Sequence, residues 1–262
     1  MNAGKMLRAA NAFKALRNSN GPALRLPDGL RPIDISEGYD LQGILSTQLE
    51  SSKGICCGHK IGCTTPVMQA FLNILHPCAG RLYTYEVYKQ SVVLHLCDFV
   101  GVGVECEIAL QLHQDIIPSK DPHTKLSVLR SVGAVMAAAE IVDNRYTDFN
   151  DFGIPSLVAD DFFSSGAVLG AAVSIDGLNL AAVQGTTLID GVEKASGLGD
   201  AVMGNPLNAL AWLANQKSDR GEKLKAGEVI MTGSVVETQW IGKPCEVICR
   251  IAPLGEVRLI FI

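Results

Sequence analysis

Charge is scarce in this chain. Charged residues make up 19% of its 262 positions and hydrophobic residues 48%. Such a composition supplies a sizeable core and excludes an intrinsically disordered chain. The net charge of −5, from 22 basic and 27 acidic residues, lacks the basic excess of a nucleic-acid-binding face. No apolar run reaches the roughly 18 residues of a membrane-spanning helix. Repeats and low-complexity tracts are also missing. None of the eight cysteines (Cys56, Cys57, Cys63, Cys78, Cys97, Cys106, Cys245 and Cys249) forms a CxxC pair, which argues against a zinc ribbon. Most lie in apolar, strand-like runs and no secretory signal is evident, so buried free thiols in a reducing cytoplasm are expected.

The first 27 residues contain no acid but carry Lys5, Arg8, Lys14, Arg17 and Arg25. That bias resembles a mitochondrial presequence. Serine is scarce there, however, and Met6, Ala9, Ala10, Phe13 and Leu16 fall on one helical stripe. The segment is expected to be an ordinary N-terminal helix of a cytoplasmic protein.

What is present is a pair of carboxylates on one strand. In Val104–Leu112 the residues Val104, Cys106, Ile108, Leu110 and Leu112 alternate with the rest, the mark of a strand with one buried face. The period of two puts Glu105 and Glu107 on the same face, roughly 7 Å apart along the backbone. Two such residues are often solvated surface, yet like charges this close repel unless something neutralises them. Glu140 follows the small-residue run Ala137-Ala138-Ala139. Three hard oxygen ligands with room for water and substrate suit Mg²⁺ or Mn²⁺ better than Zn²⁺. The second feature is Gly58–Thr65, in which Lys60 sits near a strand end and Thr64 and Thr65 follow. A lysine there is usually solvated. Beside a carboxylate-held metal it can orient a substrate carboxylate, or transfer protons if desolvation lowers its pKa.

Along the chain, periodicity predicts helices over 6–17 and 39–49, with an irregular connection between them. Strands follow at 92–96 and in the Glu105/Glu107 segment, then a loop at 118–122. A small-residue helix is expected over 127–139. Strand-like runs at 167–175 and 178–189 are joined by the hairpin signal Asp176-Gly177. Gly197–Asp200 is expected to be flexible. Asn205-Pro206 starts a helix to about Gln216, Asn as N-cap and Pro at the first helical position. Strands at 228–232, 245–251 and 257–262 finish the chain. Many short strands after residue 90 point to a rolled or barrel-like sheet and not a doubly wound fold.

Several motifs recur in a familiar order: Lys60–Thr65, Glu105-x-Glu107, Glu140–Asp143, Asp161–Gly166, Asn205–Ala214 and Thr232-Gly233-Ser234. Together they resemble the 2-keto-4-pentenoate hydratase and 4-oxalocrotonate decarboxylase branch of the fumarylacetoacetate hydrolase superfamily, from about Lys53 to the C-terminus. The resemblance implies a mixed α+β fold: an N-terminal helical and mixed region over 1–90 and a catalytic β-roll over 91–262. It implies Mg²⁺ or Mn²⁺ held by Glu105, Glu107 and Glu140, with Lys60 and Asp161 in catalysis and Thr64, Thr65, Ser165 and Thr232 contacting substrate. Substrates of the branch are 2-oxo or 2-hydroxy-dienoic acids.

Departures from the pattern bear on specificity. Where relatives often carry an Asp, the chain has Thr84, Tyr85 and Glu86. Phe162 and Phe163 replace smaller, more polar residues; they are either core aromatics or the lining of a more apolar pocket. Val236–Trp240 is unusual and is a candidate for closing that pocket.

The expected activity is metal-dependent hydration of a 2-hydroxy-dienoate to a 4-hydroxy-2-oxo acid. Three alternatives stand beside it. One is decarboxylation of a vinylogous 2-oxo diacid, which needs a second cation such as Arg81, Lys89 or Arg145. Another is acylpyruvate-type C–C hydrolysis, for which His59, His76 and His95 lack an evident Glu partner. The last is a non-catalytic, metal-stabilised subunit. A homo-oligomer, with possible association with a pathway decarboxylase, completes the expectations.

Overall fold

The computed structural model describes residues 1–19 and 21–262. Helix α1 (Ala3–Arg17) opens the chain, its N-cap Asn2 accepting a hydrogen bond from the Lys5 amide. Its stripe of Met6, Ala9, Ala10 and Phe13 is buried and packs on α2 (Ile35–Lys53), which Asp34 caps. Strand β1 (Cys56–Gly62), helix α3 (Pro66–Phe71) and strands β2 (Cys78–Tyr83), β3 (Val87–Lys89) and β4 (Ser91–Leu94) follow. Then come β5 (Val102–Leu112), α4 (Lys125–Leu129), β6 (Val132–Asp143), α5 (Phe149–Phe152), α6 (Ile154–Ala159) and β7 (Ser164–Leu169). Next are β8 (Gln184–Ile189), β9 (Val192–Leu198) and α7 (Pro206–Asp219). The chain ends with β10 (Val229–Ser234), β11 (Gln239–Trp240), β12 (Cys245–Ala252) and β13 (Gly255–Phe261). Among the described residues no helix is long and apolar enough to cross a membrane.

The strands form two mixed sheets. The larger has the order β2-β1-β10-β5-β6-β7-β3, with β11 added to β5; the smaller runs β4-β13-β12-β8-β9. Strands from either side of residue 90 therefore share the larger sheet. The alternating residues of β5 face the core, but the strand is not the half-buried one expected, because Glu107 and Ala109 on its other face are fully buried as well. Val104, Cys106, Ile108, Leu110 and Leu112 join the core that also holds Val247, Cys249 and Ile251 of β12 and Val257 and Leu259 of β13. This is the rolled-sheet architecture expected from the many short strands.

Three further expectations need correction. The run 127–139 is not a helix. After the short α4, β6 pairs antiparallel with β5 over eleven registered residues, Val102↔Asp143 to Leu112↔Val132. Alanine favours a helix, but from Val135 on both faces of β6 are buried, so the apolar/polar alternation that would mark a strand is hidden. Long-range pairing overrides the local preference. The Asp176-Gly177 hairpin is also absent. β7 pairs with β6 and β3 in the larger sheet, whereas β8 pairs with β12 and β9 in the smaller. The turn instead carries the chain from one sheet to the other. Gly197 and Gly199, expected to be flexible, pack against backbone: a Cβ would lie 2.1 Å from the Val235 carbonyl oxygen and 1.9 Å from that of Leu180.

Candidate active site

Sheet register builds the site. Glu105 of β5 lies opposite Glu140 of β6, and Glu107 opposite Ala138. Pleating turns all three glutamates to one face, so Glu140 joins the pair from a strand and not from the helix expected for it. Carboxylate oxygens of Glu105, Glu107 and Glu140 lie within 4.8 Å of one another. Lys60 of β1 is registered with Met231 of β10, and Met231 with Ala109 of β5, two residues beyond Glu107. That sequence of pairs brings Lys60 to the same face, with Nζ 3.0 Å from Glu140 Oε1.

A bulge in β10 completes the cradle. Pairing with β5 shifts between Met231 and Ser234, and Gly233 donates its amide to Glu107 Oε2 at 2.9 Å. Gly233 has φ +110°, and a Cβ there would meet Thr64 Oγ1 at 2.4 Å, so only glycine fits. Thr238 donates its hydroxyl to Glu105 Oε1. Neither contact is legible in the carboxylate spacing.

Glu107 and Glu140 are fully buried, yet Glu107 Oε1 and both carboxylate oxygens of Glu140 make no hydrogen bond; Lys60 is only an ionic neighbour of Oε1. Burial, reinforced by Glu140 and Glu105, pushes the Glu107 carboxyl well above its usual range. Burial likewise raises Glu140 to about 7, against the opposing charge of Lys60. For Lys60, burial disfavours the ammonium, but Glu140, Glu105 and Glu107 outweigh it and raise its pKa. Desolvation therefore does not produce the lowered lysine entertained from the sequence. Three carboxylates face one ammonium, a formal shortfall of two positive charges, which is the charge of one divalent cation. Orphaned oxygens, hard donors and this shortfall together fit such an ion.

The cluster lies at a cavity of about 440 Å³ lined by Lys60, Thr64, Thr65, Glu105, Asn144 and a largely apolar wall that includes Phe162, Phe163 and Val235–Thr238. Thr65 also caps α3. Asn144 has no counterpart in the sequence reading; its Oδ1 is buried without a partner beside the cavity, and only its place directly after Glu140–Asp143 signals it.

Three expected site residues are not brought to this cavity. Thr232 is fully buried and donates its hydroxyl to the Ile108 carbonyl. Ser165 is half-buried in β7 and lies outside the lining. Asp161 belongs to a separate buried knot. Its carboxylate pairs with Arg17 at 3.0 Å and accepts the Tyr83 hydroxyl at 3.0 Å and the Arg81 amide at 3.0 Å. Neighbouring Asp160 pairs with Arg17 and with Arg145 at 2.9 Å, and accepts the Tyr146 hydroxyl at 2.7 Å. Burial alone would raise Asp160, but Arg145 and Arg17 prevail and hold it at about 2.

The alternative chemistries find little support in placement. Arg145 is committed to Asp160, Lys89 is exposed at the end of β3, and Arg81 lines a different cavity, which His59 and Glu228 share at 3.8 Å from each other. Glu86 pairs with Lys53.

No family model matches the chain. A 2-keto-4-pentenoate hydratase of Burkholderia vietnamiensis is 33% identical over 229 residues, covering 87% of this chain and 86% of the relative. The 2-keto-4-pentenoate hydratase 3 of Pseudomonas putida is 33% identical over 256 residues, covering 97% and 93%. This chain belongs to the 2-keto-4-pentenoate hydratase family. Membership makes it an enzyme of the lyase class. A 2-hydroxyhexa-2,4-dienoate hydratase of Comamonas testosteroni is also 33% identical, over 85% of this chain. The family fold extends further: the 4-oxalocrotonate decarboxylase from Pseudomonas putida G7, complexed with magnesium and adipate, superposes with TM-score 0.92 at 24% identity, covering 100% of this chain and 99% of that one. The fumarylpyruvate hydrolase from Pseudomonas aeruginosa, in complex with Mn²⁺ and pyruvate, gives a TM-score of 0.63 at 12% identity over 78% of this chain and 88% of that one.

Proposed function

We propose that the protein adds water to a 2-hydroxy-2,4-dienoate, giving a 4-hydroxy-2-oxo acid, with Mg²⁺ or Mn²⁺ held by Glu105, Glu107 and Glu140. The observation that carries this is the under-neutralised carboxylate trio, Glu107 and Glu140 buried and Glu105 at the cavity, with Lys60 beside it. When bound, the ion supplies Lewis-acid polarisation of a 2-oxo acid. Metal-bound relatives of the same fold support a divalent ion there.

The chain's own groups supply the rest. Lys60 keeps its positive charge beside the carboxylates, where it stabilises negative charge developing on the substrate's oxo-acid end. The hydroxyls of Thr64 and Thr65 offer hydrogen bonds to the substrate carboxylate. The reaction balances in two stages. The 2-hydroxyl proton leaves as C5 accepts a proton, giving the 2-oxo-3-enoate. Water then adds its oxygen at C4 and a proton at C3. The apolar walls keep bulk water from the intermediate.

Decarboxylation of a diacid is disfavoured by the lining. Lys60 is the only lysine or arginine on the cavity wall among the described residues, and it sits at the metal end. Loss of dienol absorbance with Mg²⁺ or Mn²⁺, together with identification of a 4-hydroxy-2-oxo product, tests the proposal. Release of CO₂ from a diacid, or no loss of absorbance across a panel of dienoates, overturns it.

Exposed Leu24, Ile33, Ile117 and Leu126 support a homo-oligomer. A mass near 27.9 kDa by light scattering would contradict that. Eight free cysteines support a reducing compartment such as the cytoplasm.

A further inference from the structure

Four phenylalanine rings stand in a row along the cavity wall. Phe162 lies under the Lys60 ammonium, 5.4 Å from Nζ to its centroid. Phe163 follows at 5.4 Å from Phe162, Phe149 at 6.0 Å from Phe163, and Phe71 at 6.0 Å from Phe149. All four line the same cavity. Burial falls along the row, from 3% exposure at Phe162 to 64% at Phe71. The row thus runs from the chemical end to the mouth.

The backbone that presents the inner two rings is strained. Asp161, Phe162 and Phe163 have φ of +55°, +48° and +67°, three successive side-chain-bearing residues in the left-handed region. Such a run persists only where its surroundings over-determine it. The surroundings here are the paired carboxylates of Asp160 and Asp161, which clamp the turn to Arg17, Arg145, Tyr83 and Tyr146. The outermost ring, Phe71 of α3, is largely in water, so the row as a whole is more than core packing. The cavity volume lies in the range that buries drug-sized molecules, and is more than a five-carbon acid needs.

We infer that this row is the subsite for an apolar group at the end of the substrate remote from its carboxylate. The substrate class is then 2-hydroxy-2,4-dienoates bearing an aryl or branched-alkyl substituent at that end. Edge-on rings at 5–6 Å spacing suit such a group, and among the described residues no lysine or arginine stands at the outer end to receive a second carboxylate. The inference rests on the hydratase reading for the reacting end of the substrate, and on the phenylalanine row alone for the tail.

Calorimetric binding of three stable 2-oxo acids in the presence of Mg²⁺ tests it without turnover. The acids are 2-oxopentanoate, 2-oxo-6-phenylhexanoate and 2-oxoadipate. The phenyl acid should bind at least about tenfold more tightly than 2-oxopentanoate, and 2-oxoadipate more weakly than either. Phe71→Ala, at an exposed position, and Phe149→Ala should each shrink the phenyl advantage several-fold. Equal affinities, a preference for 2-oxoadipate, or a phenyl advantage untouched by both variants would overturn the inference. Measuring kcat/KM for phenyl-substituted and unsubstituted dienoates separates the two readings. Tail-dependent binding without turnover of any dienoate sinks hydration and leaves the subsite standing. Turnover with no tail preference sinks the subsite and leaves hydration standing.

Discussion

Two clusters of buried acids lie in this molecule, and they are in opposite electrostatic states. Asp160 and Asp161 are saturated: two arginines, two tyrosine hydroxyls and a backbone amide meet their oxygens, and Asp160 is held at about 2. Glu105, Glu107 and Glu140 share one lysine, one threonine and one amide, leave three oxygens without a hydrogen bond, and raise Glu107 and Glu140 above the usual carboxylate range. Four of the five carboxylates are buried alike; Glu105 is half-buried where it meets the cavity. What differs is whether the protein itself supplies the counter-charge. A cluster that completes its own pairing holds the fold together; one left short of charge is built to receive something from outside.

Removing one member from each cluster gives the widest contrast. Glu107→Ala should reduce turnover by more than about 10³-fold, because an incomplete ligand set forfeits several kcal/mol of Lewis-acid stabilisation. The metal-free variant should nonetheless melt close to the metal-free parent, since removing a buried carboxylate that lacks its own counter-charge offsets the lost bond from the Gly233 amide. Full activity of Glu107→Ala after chelation and dialysis would show that no metal acts there. Lys60→Ala should lower kcat by about 10² to 10⁴ while metal affinity, read by titration calorimetry, changes little. Lys60→Arg should rescue poorly because the planar guanidinium differs in shape. A change confined to KM would make Lys60 a binding residue only.

Asp160→Ala should behave in the reverse sense to Glu107→Ala. It strands Arg145 in the interior, leaves Arg17 with Asp161 alone, and should cost about 3–5 kcal/mol of stability, seen as a lower urea midpoint. A midpoint unchanged from the parent would erase the distinction between the clusters. The smallest effect is in the pH dependence. Asp160 has a depressed pKa, about 2 against an ordinary 3.8. Its contribution is complete above about pH 4 and is lost as pH falls through about 2, an amount of about 2 kcal/mol. In Asp160→Asn this part of the acid limb should vanish from urea melts collected between pH 5 and pH 2; an unchanged limb would assign the acid sensitivity to other groups.

The two clusters also differ in how far they can be read from the chain. Glu105 and Glu107 are legible because a period of two on a strand with one apolar face fixes their direction. Glu140 is legible as a candidate ligand through the order of motifs, but its element is not: from Val135 on, β6 is buried on both faces, so no alternation separates strand from helix. The arginine–aspartate knot leaves no local trace. Arg17 lies 143 and 144 positions from its partners, and Asp161 sits in a motif where a catalytic role is the readier inference. The bulge that aims Gly233 at Glu107 and the reach of Thr238 to Glu105 depend on strand register, which sequence spacing does not carry. The phenylalanine pair at 162 and 163 is visible as a departure. Its direction is not, because it depends on a left-handed turn held by the knot and by long-range backbone bonds such as that from the Asp143 amide to the Phe163 carbonyl.

Because Glu105 and Glu140 are registered partners in the β5–β6 ladder, the proposed metal cradle hangs from the longest run of paired strand backbone among the described residues. Amides in such a run exchange with solvent only when the whole sheet opens. The proposed cradle should then keep its shape whether or not an ion fills it. Deuterium uptake along β5 and β6 should be slow in chelator-treated protein and nearly the same once Mg²⁺ is restored, while α3, with Val67 and Phe71 largely in water, exchanges early in both. The ion's arrival and departure would then be governed by its own dehydration and not by protein motion.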